Sequence, residues 1–247
     1  MTELTKSVEK KYFFDRPEDE PKDAHIFAGL LGRRYSCRGF LPEPVPQKTI
    51  DSFLRIAQLT ASWCNSQAWQ LYITSGNATR RFSEALMAAA TSPEGQSLET
   101  DFPRPARYSG RYQERRRETG WQLYEAVGVA HGDREASGRQ TLENFRFFGA
   151  PHVAVITSDR DLGVYGAVDC GSYVANFMTA AQCFGVDTIA QAAIAMQSDT
   201  VRQFFDIPDD RRIVCGISFG YGDPDHPANS FRTRRDDIDE IVTWVSE

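Results

Sequence analysis

The sequence lacks any apolar run of about 18 residues, the length that a membrane-spanning helix needs, and its charged N-terminus carries no apolar signal segment. It also lacks an excess of positive charge, since its formal net charge is -6, and it has no long basic stripe of the kind that contacts nucleic acid. These absences predict a soluble, cytoplasmic protein without a membrane or nucleic-acid partner.

Residues that build disulfides and metal sites are few. The five cysteines are an odd number and include no C-x-x-C pair, and the four histidines are scattered without ligand spacing. We therefore expect reduced thiols and no metal. No G-x-S-x-G turn of a hydrolase occurs, and the glycines near residue 220 lack the spacing of a dinucleotide fingerprint.

The chain of 247 residues is long enough for one large domain. Helical and strand patterns intermix without the regular strand–helix–strand alternation of a parallel sheet, so we expect an α+β fold. We expect a flexible N-terminal arm over residues 1–21 and a single domain over residues 22–247. Within this domain, residues 91–148 are expected to form a variable helical lid or substrate segment.

Apolar periodicity locates the main elements. Strand patterns cover residues 68–74, 152–157 and 212–221. Helical spacing begins near Asp23, after Pro46 and before Phe82, and continues over residues 112–127, 133–148 and 198–207. Residues 238–245 are expected to be a final strand or short helix. A helix over residues 165–184 is apolar around much of its circumference, Val168 included, and is expected to be the buried central helix.

Positive charge is concentrated at two places. Arg33, Arg34 and Arg38 surround Ser36, and a second cluster follows over residues 232–235. Arginines crowded together repel one another, and burying them without a counterion is costly. A bound dianion removes that repulsion, because the guanidinium fork matches phosphate oxygens. The same stretch is also compatible with a solvated basic turn of no fixed role.

Four stretches, taken together, are more informative than any one of them. They are RYSCRGF at residues 34–40, the prolines flanking Val45, SWCNSQAW at residues 62–69, and residues 219–229 followed by Arg232 and Arg234. Their order resembles that of the FMN-dependent nitroreductase family over residues 26–244, with the poorest match over residues 91–148. The segment around Trp121 is more similar to the branch that acts on nitroaromatic acids such as nitrobenzoate.

The resemblance implies a nitroreductase-like fold, with a central mixed or antiparallel sheet flanked by helices, and an intertwined homodimer with FMN at the subunit interface. It implies a flavoprotein oxidoreductase that takes a hydride from NADH or NADPH onto flavin N5. A small aromatic substrate, expected to be a nitroaromatic, would then be reduced on the same face in a ping-pong cycle. No dedicated catalytic side chain is expected, because the flavin performs the chemistry.

The resemblance also implies site residues. Phosphate and ribityl groups would be held by Arg34, Tyr35, Ser36, Arg38, Arg232 and Arg234. The flavin of the neighbouring subunit would be contacted by the loop containing Ala61, Ser62, Trp63, Asn65 and Gln67. Gln191, Ala192 and Ala193 would lie along the ring, with a backbone amide near N5. Trp63, Trp121 and Tyr124 would contact the substrate.

This sequence departs from the family pattern in the loop. Ala61 and Ala68 stand where prolines are common, and Trp63 replaces a small residue. Trp63 is equally compatible with a role as an interface core residue, and Trp121 with a role as a core residue of its helix. Cys64, without a histidine nearby in the sequence, is expected to be a buried structural thiol rather than a nucleophile.

Other functions fit the same resemblance. The scaffold could serve a quinone or enone reductase, or a reductive dehalogenase. A flavin-binding protein without turnover is an alternative of a different class, because a fold alone does not determine a function.

Overall fold

The computed structural model describes residues 20–93 and 100–246. Of the expected N-terminal arm, all but residues 20 and 21 lie outside the described residues, as do residues 94–99 of the expected lid segment. Helices and strands intermix along the chain as predicted. The helices are α1 (Lys22–Arg33), α2 (Gln47–Ala57), α3 (Asn77–Thr91), α4 (Gly110–Ala126), α5 (Arg134–Leu142), α6 (Gly163–Cys183), α7 (Ala192–Ala195) and α8 (Ser198–Phe205). The strands are β1 (Gln70–Ser75), β2 (His152–Asp159), β3 (Asp187–Gln191) and β4 (Arg211–Gly220).

The four strands form one antiparallel sheet in the order β1-β2-β4-β3. The central strand β2 is buried over its whole length except Asp159. Its near-continuous apolar sequence fits a position with both faces covered. The strand order places β3 at an edge of the sheet. At this edge Ser36 bridges to Thr188, and the amide of Cys37 donates to the Thr188 carbonyl at 3.1 Å.

The core lies on both faces of this sheet. On one face, Phe53 of α2, Phe177 of α6 and Phe219 of β4 pack together, with ring centroids 5.1 to 5.8 Å apart. On the other face, Phe82 of α3 packs against Phe147 at 5.3 Å. Edge-to-face and tilted aromatic contacts of this kind add to the stabilisation from burial. The two aromatic clusters therefore cover the two faces of the sheet.

Helix α6 is the long central helix that the sequence predicts. Tyr173, Phe177 and Ala181 are buried against the sheet. Val168 does not share this burial, contrary to expectation, because it lies on the opposite face and is 57% exposed. The helix is therefore buried on one side only within a single chain.

Three expectations for secondary structure differ from the structure. Helix α5 ends at Leu142 instead of continuing to residue 148, because Phe147 and Phe148 adopt positive φ values of 57° and 54° that turn both rings into the core. Strand β3 was not expected, since its five residues carry little apolar pattern. Residues 238–245 contain only a short 3-10 turn, Ile238–Glu240.

Across residues 20–93 and 100–246, no helix combines the length and the apolar composition that crossing a membrane requires.

A buried histidine joins the proline segment to the sheet. The amide of Val45 donates to Nε2 of His152 at 3.0 Å, and Nδ1 of His152 lies 3.4 Å from the Thr74 carbonyl. The ring also stacks on Phe219 at 5.0 Å. Burial lowers the pKa of His152. The bond from Val45 requires the neutral ring, because only an unprotonated Nε2 can accept.

We predict that His152→Gln removes part of the pH dependence of stability. A neutral, buried histidine has a lower pKa in the folded chain than in the unfolded chain, so the unfolded chain binds the proton first. The contribution of His152 to the free energy of unfolding is therefore fully present above about pH 6.5 and is lost as the pH drops below that value. The variant should lose about 1–2 kcal/mol near neutral pH and show a flatter pH profile.

Urea unfolding at pH 7.5 and pH 5.5 measures both effects. His25→Gln is the matched control, because His25 is exposed on α1. A wild-type pH slope retained in His152→Gln would contradict the assignment.

Candidate functional site

A cavity of about 630 Å³ lies between the end of α1, the face of α4 and the C-terminal segment around residue 233. It is lined by six arginines, namely Arg34, Arg38, Arg115, Arg232, Arg234 and Arg235. The six residues predicted to hold phosphate and ribityl groups all line it, since Tyr35 and Ser36 are also in its wall. The structure thus brings the two basic clusters of the sequence together at one place.

A set of hydrogen bonds joins the two ends of the chain behind this cavity. The amide of Arg38 donates to Oδ1 of Asn229 at 2.8 Å, and Nδ2 of Asn229 donates to the Gly39 carbonyl at 2.8 Å. The amide of Asp223 donates to the same carbonyl at 2.9 Å. A Cβ atom on Gly39 would lie 2.1 Å from Cγ of His226, so only glycine fits at this approach.

The arginines are held in a partly desolvated and mutually repulsive environment. Burial lowers the pKa of Arg34, and the charges of Arg235 and Arg232 lower it further. Burial also lowers the pKa of Arg38. Arg232 lies over the ring of Tyr35 at 3.8 Å, an arrangement that stabilises a guanidinium. A bound anion would stabilise the remaining positive charge.

Asp187, at the start of β3, interacts electrostatically with Arg232. Its Oδ2 accepts from the amide of Gly222 at 3.1 Å. Burial raises the pKa of Asp187, while the Gly222 bond and the charge of Arg232 oppose that rise. Its carboxylate therefore offsets part of the Arg232 charge from behind the cavity.

The arginines of the cavity differ in their partners. Arg115 pairs with Asp236, and Nε of Arg234 lies 3.1 Å from both carboxylate oxygens of Glu118. Arg38 instead donates to the Ser36 carbonyl at 3.3 Å. Within the described part of the chain, neither Arg34 nor Arg38 has a carboxylate partner. Arg235 has none either, but its Nη1 donates to Thr233 and to the Arg234 carbonyl. The guanidinium groups of Arg34 and Arg38 are available to a ligand.

Two buried polar atoms test whether the residues fit FMN. Oε1 of Gln122, on the cavity-lining face of α4, and Oγ1 of Thr188, beside Ser36, are buried without a hydrogen-bond partner in the described chain. Buried polar atoms are normally satisfied, so a ligand with hydroxyl groups is expected beside Gln122, which lines the cavity, whereas Thr188 does not. A phosphate bound by Arg34 and Arg38, with a ribityl chain near Gln122, would meet this requirement. The residues present therefore fit FMN.

The predicted ring segment lies where β3 passes into α7. The Gln191 side chain is turned away from the edge, because Ser218 Oγ donates to its Oε1 and its Nε2 donates to the Asn144 carbonyl at 2.8 Å. Ala192 is exposed and Ala193 is partly exposed. This segment would therefore present backbone groups and small side chains to a flat ring.

The predicted loop of residues 61–67 lies apart from this cavity. The amide of Trp63 and the hydroxyl of Ser66 donate to the buried carboxylate of Asp169 at 3.1 Å and 3.0 Å. The Trp63 ring contacts Tyr165 edge-on at 4.1 Å and is 57% exposed. Cys64 is exposed, contrary to the expected buried thiol, because it occupies a left-handed turn with φ of 50°.

The remaining members of this loop follow the same pattern. Asn65 and Gln67 also have positive φ values, 55° and 48°, and both side chains are exposed. The Ser62 hydroxyl accepts from the Gln67 amide at 2.9 Å, which closes the turn. Ala61 precedes this turn and is exposed. Within a single chain, no residue of the loop lines the arginine cavity.

The predicted substrate residues of α4 face away from the arginine cavity. Trp121 stacks on His131 at 4.4 Å and contacts Tyr124 at 5.9 Å, and neither Trp121 nor Tyr124 lines the cavity. The cavity is instead lined by Arg115, Thr119 and Gln122, which sequence reasoning missed. Their spacing of four and three places them on one helix face. This polar face was the signal that could have identified them.

Comparisons with known proteins agree with this geometry. The sequence model of the Nitroreductase family matches residues 31–221 of this chain. Nitroreductase NfnB of Mycolicibacterium smegmatis is 33% identical over 216 residues, which cover 87% of this chain and 91% of that protein. A 4-nitrobenzoate reductase of Nocardioides is 31% identical over 221 residues, covering 89% of this chain and 90% of that protein.

A solved structure shows the same fold. The crystal structure of the FMN-dependent nitroreductase NfnB from Mycobacterium smegmatis in complex with NADPH superposes with a TM-score of 0.86 and 31% identity. The match covers 91% of this chain and all of that one. With the family pattern, the antiparallel sheet and the arginine cavity in agreement, the chain belongs to the nitroreductase family.

Proposed function

We propose that the protein is an FMN-dependent NAD(P)H oxidoreductase that reduces nitroaromatic compounds. The observation that carries this proposal is the cavity in which Arg34 and Arg38 are left without carboxylate partners. The names of its relatives, a nitroreductase and a 4-nitrobenzoate reductase, support the same reaction. The complex of one relative with NADPH supports a reduced nicotinamide as the electron donor.

When bound, FMN would supply two-electron redox chemistry between a reduced nicotinamide and the acceptor. The chain's part is to bind and orient. Arg34, Arg38 and Ser36 would hold the phosphate, and Gln122 would position the ribityl chain. The backbone at Ala192 and Ala193 would offer the ring an amide donor, and a fixed donor stabilises developing negative charge. No side chain is assigned as a proton donor.

The functional unit that we propose is a homodimer built on the exposed face of α6. Val164, Tyr165 and Val168 are 73%, 58% and 57% exposed on this face. Contiguous exposed apolar residues mark interaction surfaces. Trp63 contacts Tyr165 at the same place, and the family resemblance implies that the 61–67 loop would contact the flavin of a second copy docked on this face. This explains why the loop lies apart from the cavity of its own chain.

We also propose a cytoplasmic location, where reduced nicotinamide is available. All five cysteines are free thiols in the structure, which fits a reducing compartment.

The first prediction from the proposed function concerns the spectrum of the purified protein. After incubation with FMN it should show flavin absorbance, NADPH without oxygen should bleach it, and 4-nitrobenzoate should restore it. A protein that stays colourless with FMN would contradict the proposed function. Bleaching that is reversed faster by a quinone, an enone or a halophenol would assign the scaffold to one of those reactions. Bound FMN that NADPH does not bleach would indicate a flavin-binding protein without turnover.

The second prediction concerns the phosphate. Arg34→Gln should raise the dissociation constant for FMN by about 10- to 100-fold, because one charge-assisted hydrogen bond to a dianion is lost. Its thermal midpoint without FMN should be unchanged or higher, since burial and neighbouring arginines already disfavour the Arg34 charge. Fluorescence titration with FMN measures the affinity. The matched control is Arg33→Gln, because Arg33 is exposed and outside the cavity lining. Equal losses in both variants would refute the assignment.

The third prediction concerns the dimer. Val168→Asp should produce monomers by light scattering and should also weaken FMN binding, because a charge on an apolar interface opposes association and removes the partner's loop. Ala88→Asp is the control, since Ala88 is exposed on α3, away from this face. A Val168→Asp protein that remains dimeric would exclude this face as the interface.

A further inference from the structure

A second cavity, of about 770 Å³, lies beside the ring segment. Its walls come from the loop after residue 100, from α7 and from the start of β4. Its lining is mainly apolar and includes Phe102, Tyr108, Met196, Ile213 and Val214. A cavity of this size with apolar walls and few polar groups is typical of small-molecule sites.

This second cavity reaches the place proposed for the flavin ring. Ala192, one of the three residues of the ring segment, is part of its lining. The arginine cavity does not include Ala192, so of the two cavities only the second borders this part of the ring segment. A molecule in the second cavity would be next to the ring and away from the phosphate. The cavity is therefore placed for the electron acceptor.

Arg104 is the one charged residue among the described residues that line this cavity. Its side chain is exposed and makes no hydrogen bond or ion pair to any residue in 20–93 or 100–246. Nearby Arg116, by contrast, lies over the Tyr108 ring at 5.4 Å. Pro103 and Pro105 flank Arg104 and restrict the backbone on both sides. The guanidinium is thus presented on a stiff segment with its donors free.

The loop that carries Arg104 is fixed at its base. Oδ2 of Asp101 accepts from Nη2 of Arg202 at 2.8 Å and from the amide of Ile213 at 2.6 Å. Arg212 donates to the Asp101 carbonyl at 2.6 Å. These bonds attach the loop to α8 and β4 three residues before Arg104. The wall of the second cavity is therefore held in place without a ligand.

We propose that the second cavity binds the acceptor as a monocyclic aromatic carboxylate, with its ring among Phe102, Tyr108 and Met196 and its carboxylate paired with Arg104. This rests on the proposed function and deepens it, because it states which nitroaromatics the site prefers. A planar guanidinium binds a carboxylate through two parallel charge-assisted hydrogen bonds, whereas the oxygens of a neutral nitro group carry no net charge and accept more weakly. Arg104 is then the residue that determines the preference for acids.

The test compares 4-nitrobenzoate with its methyl ester, which keeps the ring and the nitro group and removes the charge. The wild-type enzyme should have the higher kcat/KM for the acid. Arg104→Gln should lower kcat/KM for the acid by about 10- to 100-fold, mainly through KM, and leave the ester unchanged. Arg107→Gln is the matched control, because Arg107 is an exposed arginine of the same loop outside the cavity lining.

A second measurement does not depend on turnover. Calorimetric titration with benzoate should show binding to the wild type and to Arg107→Gln, and binding weakened by a similar factor in Arg104→Gln. Equal FMN content and thermal midpoints in the three proteins show that the fold is intact.

Three results would overturn the inference. The kcat/KM values for the acid and for the ester could fall by the same factor in Arg104→Gln, which would give Arg104 a structural role only. KM for NADPH could rise instead of KM for the acid, which would assign Arg104 to a phosphate of the donor. Benzoate could bind both arginine variants equally. A failure of the proposed function is distinguishable, because the flavin spectrum would then not respond to NADPH while the benzoate titration would still report on Arg104.

Discussion

Repulsion between guanidinium groups, at the point where the two ends of the domain meet, is the constraint on which the rest of the site depends. An acidic chain of formal net charge -6 places six arginines around one cavity. Holding them there requires the rigid connection through Gly39 and Asn229, which no single element could provide. Because burial lowers the pKa of both Arg34 and Arg38, gathering these charges is costly, and an anion is the group that relieves the cost.

The edge position of β3 explains how one short strand serves both cavities. Its first half bonds to Ser36 and Cys37 and so supports the arginine segment. Its last residue, Gln191, is anchored inward by Ser218 and Asn144, which leaves Ala192 facing outward at the second cavity. A central strand could not do this, because both of its edges would be occupied by neighbouring strands.

The family and the fold class were predictable from the sequence and are confirmed by the comparisons. The long helix expected over residues 165–184 is present as α6, although only one of its sides is buried. The reason is that short motifs and apolar periodicity carry that information directly. The departures come from contacts distant in sequence. Phe147 and Phe148 leave helical geometry because the core takes both rings, and Gln122 faces the cavity because α4 lies across it. Individual site residues stay predictions, since a motif names a residue without stating which way its side chain points.

Several arginines of the fold are held by acceptors within the chain. Arg202 is matched by Asp101, Arg234 by Glu118, and Arg211 by the carbonyls of Ala68 and Thr157. Each of these guanidinium groups already has its acceptors inside the fold. Arg34, Arg38 and Arg104 have no carboxylate within the described chain although carboxylates outnumber cations in the sequence. Two of them line the cavity that fits a phosphate, and the third lines the apolar cavity beside Ala192. Both proposed binding sites therefore contain a guanidinium group that can pair with an anionic ligand.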